Sequence, residues 1–232
     1  MNISGLQKLS LVDFPRKMAA TVFTGGCNLR CPFCHNALLV TAPAEEREHY
    51  ELQEILDFLA SRKGLLDGVV LSGGEPLLQE GTLEFAAAVK AMGFAVKLDT
   101  NGCFPDRLRT LLGAGNIDYV AMDIKNSLSK YPLTVGIPGF DVSGVQESTA
   151  ILMEGQVDYE FRTTLVREFH TEADLLSIAR WLKGAKRYRL QNFVDSGGLI
   201  RSGLHGFSPQ EMHTFAETVL PYFADVSVRG VD

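Results

Sequence analysis

A regular alternation of short β-rich runs and amphipathic helical stretches constrains this chain more than any other feature. Lys17–Phe23 reads as a first strand, broken by Thr24-Gly25-Gly26. Leu52, Ile55, Leu56 and Leu59 recur at helical spacing within Leu52–Arg62, and Gly64 follows as a stop signal. Gly68–Leu71 is a fully apolar strand ending in Ser72-Gly73-Gly74, and Thr82 is placed to cap a helix that runs to Met92 before Gly93. The rhythm continues with strands at Ala95–Leu98, Tyr119–Ile124, Tyr159–Leu165 and Arg187–Phe193. The helices that follow them are Pro105–Leu112, Val142–Met153, Glu172–Leu182 and Pro209–Tyr222, the last capped by Ser208. A short seventh strand fits Ala224–Val228. Such alternation demands crossover connections and therefore parallel strands. Six units are too few to close an eight-stranded barrel. The expected fold class is α/β, an open (β/α)6 partial barrel, with residues 1–232 forming a single domain. The least regular stretch, Asn126–Asp141, reads as a substrate loop or as a linker within that domain.

Composition narrows the function classes. With 46% hydrophobic and 22% charged residues the chain can bury a core and is not a disordered polypeptide. A net charge of −6 opposes bulk nucleic-acid binding, which needs clustered cations. The basic run at Lys183–Arg189 reads as a solvated helix end and strand start. No apolar run is long enough to span a bilayer and Met1–Lys17 carries no signal-peptide pattern, so a cytoplasmic protein without a membrane partner is expected. Of the four cysteines, Cys27, Cys31 and Cys34 fall within eight residues and Cys103 stands apart. A reducing cytosol disfavours disulfides, and tight spacing points to metal ligation.

The run Cys27-Asn28-Leu29-Arg30-Cys31-Pro32-Phe33-Cys34 is a C-x3-C-x2-C loop just after the first strand. Structural zinc needs four ligands, usually from two separated hairpins, and the second hairpin is missing. A [4Fe–4S] cluster held by three thiolates leaves one iron open to an external ligand, with Phe23, Leu29 and Phe33 available to shield it from water. Gly73-Gly74-Glu75-Pro76 follows the next strand and, taken alone, is a plausible turn. Asp99-Thr100-Asn101-Gly102 and Met122-Asp123-Ile124-Lys125 end the following two strands. A lone Asp at a strand end is usually a cap or turn residue, but two Asp and a Lys at adjacent strand mouths suit a zwitterionic ligand. Arg162, amid an apolar strand, is costly unless it faces the site or bonds Asp123. His35 is positioned to tune a cluster or to cap locally, whereas His49, His170, His205 and His213 read as surface residues, and Cys103 as an ordinary buried cysteine.

The cysteine run, Gly-Gly-Glu-Pro and the two Asp-bearing strand ends together resemble the radical S-adenosylmethionine (SAM) enzymes, over nearly the whole chain. In that family three cysteines bind a [4Fe–4S] cluster whose open iron chelates SAM, and reduction cleaves SAM to methionine and a 5′-deoxyadenosyl radical. The resemblance implies Cys27, Cys31 and Cys34 as cluster ligands and Gly73, Gly74 and Glu75 as contacts of the SAM amine. It assigns Asp99 and Asp123 to SAM, and the same two with Thr100 to a monovalent cation. Lys125 pairs with the SAM carboxylate. The activases that produce glycyl radicals have Pro-Tyr-His where this chain has Asn192-Phe193-Val194, so Asn192 or Gln191 replaces the ribose-contacting His. Gly5–Pro15 and Val228–Val231 look like the small activating proteins of anaerobic ribonucleoside-triphosphate reductase. The implied partners are that glycyl radical enzyme and a flavodoxin or ferredoxin as electron donor. The alternatives are an activase of pyruvate formate-lyase type, a radical SAM enzyme with another substrate, and a non-catalytic electron carrier using Cys103 as fourth ligand.

Overall fold

The alternation is realised as one sheet of eight strands whose spatial order is their order in sequence. The structure, a computed structural model, describes residues 1–195 and 197–231. Strands β2 (Ala19–Thr24), β3 (Gly68–Gly73), β4 (Ala95–Thr100), β5 (Tyr119–Asp123), β6 (Asp158–Leu165), β7 (Arg187–Asn192) and β8 (Asp225–Arg229) run parallel. Helices α1 (Ala37–Thr41) and α2 (Leu52–Ser61) link β2 to β3; α3 (Thr82–Ala91) and α4 (Pro105–Gly113) make the next two crossovers. The short α5 (Tyr131–Thr134) and then α6 (Ser143–Met153), α7 (Glu172–Trp181) and α8 (Pro209–Val219) complete the series. The six expected units are therefore present, followed by β8 where the seventh strand was expected. Ser208 caps α8 through a reciprocal capping box with Glu211. Thr82 does not cap α3: Gly81 does, at φ 85°, and the Thr82 hydroxyl instead donates to Pro76 O at 2.7 Å.

One strand escaped the sequence reading. β1 (Ile3–Ser10) pairs antiparallel with β2, in a register interrupted between Ile3 and Gly5 and again between Gln7 and Ser10. These irregularities break the two-residue alternation that would have announced a strand. Residues 11–18 then turn beneath the sheet, and Phe14 seats against Tyr119 with ring centroids 6.1 Å apart.

The sheet curls so that its two faces differ. Outward side chains such as Leu71, Val96, Leu98, Val120, Phe161 and Leu190 join Leu59, Phe85, Leu108, Ile151, Leu175 and Met212 in the main core. The inner face holds a separate small cluster, Phe14, Ala19, Val70, Tyr119 and Ala121, near the N-terminal ends of the strands. Strand alternation places Lys97 and Asp99, Glu160 and Arg162, and Arg189 and Gln191 on that same inner side. Curvature lets Asp99 of β4 reach Arg162 of β6, and Glu160 of β6 reach Arg229 of β8, each across an intervening strand. β8 does not pair back to β1, so the barrel stays open.

The irregular stretch 126–141 is a brace for the cysteine loop. Arg30 N–H donates to Val135 O at 2.9 Å, and a Cβ on Gly136 would lie 2.3 Å from Arg30 O. The basic run also differs from expectation: Lys183 and Lys186 are exposed, but Arg187 and Arg189 turn inward, where Arg189 pairs with Glu160 and Asp225.

Candidate active site

Parallel strands direct their C-terminal ends, and the loops that leave them, to one side of the sheet. There the structure opens a cavity of about 400 Å3, lined by all three cysteines of the loop after β2. Cys27, Cys31 and Cys34 are free thiols. Burial pushes them up, Cys27 to about 11 and Cys31 to about 12, with Cys34 moved the same way. The Lys125 charge pulls each of them back toward ionisation. Thiols this desolvated ionise when a metal supplies the missing positive charge. Among the described residues no group of three His, Cys, Asp or Glu side chains converges on a single ion.

The loop is held by its own backbone and by neighbours. Gly26 N–H donates to Leu39 O at 2.7 Å, Arg30 Nη1 donates to the carbonyls of Cys27 and Leu29, and Phe33 lies against Phe169 and His170. Cys27 Sγ accepts from Leu29 N–H at 3.4 Å and lies 3.7 Å from Asn101 Nδ2. Cys103 is half-buried and does not line the cavity; its N–H donates to Asn101 Oδ1.

Gly73 and Gly74 make a close approach, but to the chain's own backbone. A Cβ on Gly73 would lie 2.2 Å from Thr24 N, and one on Gly74 would lie 2.0 Å from Gly26 O. Gly74 N–H donates to Thr24 O and Glu75 N–H to Gly26 O, which locks this turn onto the start of the cysteine loop. Asn36 adds a bond from Nδ2 to Gly73 O at 3.2 Å. Glu75 is fully buried and accepts from Leu77 N–H, Thr100 Oγ1 and Asn101 N–H, at 3.0, 2.7 and 2.7 Å. Burial raises its carboxyl to about 7, with those three donors pulling the other way. Its carboxylate thus joins the turn after β3 to the end of β4.

Asp99, Asp123, Lys125 and Arg162 meet on the cavity wall, joined from below by Lys97. Lys97 Nζ lies 2.5 Å from Asp99, and Arg162 spans both carboxylates, with Nη1 3.3 Å from Asp99 and Nε 2.9 Å from Asp123. Lys125 Nζ lies 3.0 Å from Asp123. Burial opposes ionisation of both acids, but Arg162 with Lys97 holds Asp99 below its usual range, and Arg162 with Lys125 brings Asp123 to about 2. The expectation that Arg162 faces the site and bonds Asp123 is met.

Other residues depart from the sequence reading. Asn192 does not line the cavity: its amide donates to Phe207 O and accepts from Phe207 N–H, both at 2.8 Å. Its neighbour Gln191, on the opposite side of the strand by alternation, lines the cavity instead. His170 is buried rather than exposed, and its Nε2 lies 2.8 Å from Lys125 O, so it positions the backbone that carries Lys125. Burial lowers its basicity, as it does that of His35, which lines the cavity beside Phe193. Lys97 and Asp13 went unnoticed. A lysine two residues before the Asp in a buried strand was the available signal for the first; the second enters the cavity only because residues 11–18 fold beneath the barrel.

An open β/α barrel thus brings three free thiols and a set of opposed charges to one cavity, an arrangement suited to a thiolate-bound metal group beside a charged small ligand. The chain belongs to the Radical SAM superfamily, which it matches over residues 21–219. The cofactors of that family, a [4Fe–4S] cluster and SAM, fit the unpaired thiols and the zwitterion-complementary wall. Among its relatives is a Methanocaldococcus jannaschii protein named for glycyl-radical enzyme activation, 35% identical over 195 residues, covering 82% of this chain and 79% of that one. The pyruvate formate-lyase-activating enzyme of Staphylococcus aureus is 37% identical over 110 residues, 45% of this chain and 43% of its own. Streptococcus suis SuiB bound to SAM shares the fold, at 14% identity and a TM-score of 0.69, over 88% of this chain and 48% of that structure. Among the described residues no helix is long and apolar enough to cross a membrane.

Proposed function

We propose that this protein, acting as one radical SAM domain in the cytoplasm, generates a glycyl radical on a partner enzyme, anaerobic ribonucleoside-triphosphate reductase. The observation that carries the reading is that Cys27, Cys31, Cys34, Asp99, Asp123 and Lys125 line one cavity together, in a chain 35% identical to a relative named for glycyl-radical enzyme activation. The cluster and SAM, when bound, supply the 5′-deoxyadenosyl radical that abstracts hydrogen from a backbone glycine.

The chain's own residues hold and orient. Cys27, Cys31 and Cys34 would ligate the cluster, with Leu29 and Phe33 beside them in the cavity wall. Asp99 and Asp123, held ionised at the cavity wall, would take the SAM amine, and Lys125 the SAM carboxylate. Glu75 braces the turn that presents Gly73 and Gly74. Gln191, at the cavity wall, replaces Asn192 as the candidate ribose contact. The choice of reductase rests on Gly5–Pro15 and Val228–Val231, and a flavodoxin or ferredoxin serves as electron donor. The Staphylococcus aureus relative supports a pyruvate formate-lyase-type partner as the second reading.

Anaerobic reconstitution with iron and sulfide, followed by reduction with SAM and the reductase of the same organism, tests this. A doublet glycyl signal in electron paramagnetic resonance is expected. SAM cleavage without that signal, or with the signal only on a pyruvate formate-lyase, rejects the reductase. A Cys103→Ala protein that loses its cluster would favour the electron-carrier reading.

A further inference from the structure

We infer that Lys97 and Arg162 are built-in cations of the site, taking the place of a dissociable alkali-metal ion, so that SAM binding here is independent of sodium and potassium. The inference rests on the SAM site proposed above. It departs from the family resemblance, which gives Asp99, Thr100 and Asp123 to a monovalent cation.

The donor set does not fit such an ion. Asp99 Oδ1 accepts from Lys97 Nζ at 2.5 Å, and Oδ2 accepts from Arg162 Nη1 and Ser72 Oγ, both at 3.3 Å. Asp123 Oδ1 accepts from Arg162 Nε at 2.9 Å and Oδ2 from Lys125 Nζ at 3.0 Å. Thr100 Oγ1 donates to Glu75 at 2.7 Å and accepts from Gly102 N–H at 3.1 Å. Each carboxylate oxygen therefore already faces a cationic N–H donor, and the hydroxyl is engaged in both directions.

Charge and burial point the same way. Lys97, Arg162 and Lys125 against Asp99 and Asp123 make three positive charges against two negative, a net of +1. Both carboxylates are thus matched by side-chain cations of the chain itself, without a metal ion. The Lys97 and Arg162 side chains are 2% and 13% exposed, so neither can leave for water without stranding a buried carboxylate. Lys97 is the telling residue, because a charge in the interior of a parallel strand persists only where it has a partner.

The test is SAM affinity of the reconstituted holoprotein, measured by calorimetry with sodium, potassium or tetramethylammonium as the sole monovalent cation. The expected result is the same affinity in all three buffers. Lys97→Met should bind SAM about tenfold or more weakly in tetramethylammonium and regain affinity in potassium or sodium, since a lost charge-assisted bond is replaceable by an ion. Lys97→Gln provides the same comparison if the methionine variant fails to fold. Wild-type protein that binds SAM only with an alkali cation overturns the inference and leaves the SAM site standing. A Lys97 variant as indifferent to cations as the wild type also overturns it. Absence of SAM binding in every buffer overturns the site itself, and the inference with it.

Discussion

At the C-terminal ends of β3 to β7 the inner face of the sheet carries Ser72, Asp99, Asp123, Arg162 and Gln191 around an open cavity. Earlier on the same strands it carries Val70, Tyr119 and Ala121, sealed by Phe14 and Ala19. Both ends also hold buried charge, but the two sets are closed differently. Below, Glu160 is 1% exposed and accepts from Arg229 at 3.2 and 3.1 Å and from Tyr119 Oη at 3.1 Å, with Arg189 3.3 Å away. Above, Asp99, Asp123, Lys125 and Arg162 border free volume together with three cysteine thiols. The lower end is packed shut, whereas the charges and thiols of the upper end border a cavity with room for a ligand. A parallel barrel can therefore assign stability to one end of its strands and chemistry to the other.

The largest effect should come from the thiols. If Cys31 is one of the three proposed ligands, replacing it by Ala leaves no spare, and the reconstituted protein should lose its cluster and all SAM cleavage; iron and sulfide analysis checks this. A full iron complement would remove the upper end from cluster chemistry.

Phe14→Ala attacks the lower end. Truncating a fully packed phenylalanine costs about 3–5 kcal/mol, so the denaturation midpoint should fall clearly. SAM affinity should stay within about twofold if the two ends are energetically independent. A parallel loss of affinity would show that the plug also shapes the site, through Asp13, which lines the cavity.

Glu75 sharpens the comparison through pH. Its carboxyl rises on folding from 4.5 to about 7. Between those values the native protein keeps a proton that the unfolded chain has released. The contribution of this group is therefore fully present below pH 4.5 and is lost as pH climbs through 7, by on the order of 3 kcal/mol. Glu75→Gln should flatten that part of the stability profile in chemical denaturation at several pH values. An unchanged slope would mean that the buried carboxyl titrates normally.

Lys125→Met should weaken SAM binding by roughly ten- to a hundredfold, the value of one charge-assisted bond, with iron content unchanged. Calorimetry showing undiminished affinity would make Lys125 a structural partner of Asp123, like the pairs of the lower end.

Much of the upper end was legible in the amino-acid order because its parts are local. The C-x3-C-x2-C run, the paired glycines and the Asp-bearing strand ends are each set within a few residues, and strand–helix alternation carries them to one side of a parallel sheet. Arg162 was readable for the same reason, as a charge that its strand could not leave unpaired.

The lower end was not legible, and neither were the partners within the upper one. β1 hid because its irregular pairing erased the two-residue period, and the place of Phe14 depends on a loop curling under strands it does not adjoin in sequence. Sequence spacing also cannot say which of Gln191 and Asn192 faces inward, because a one-residue change of register exchanges them. His170 looked like surface until α7 and the turn before it carried it beneath Lys125. Residue types and their order thus determined which chemistry is available and at which strand ends. Only the curl of the sheet, which brings Asp99 to Arg162 and Glu160 to Arg229 across a strand, decided which charges answer each other and which are left to face a ligand.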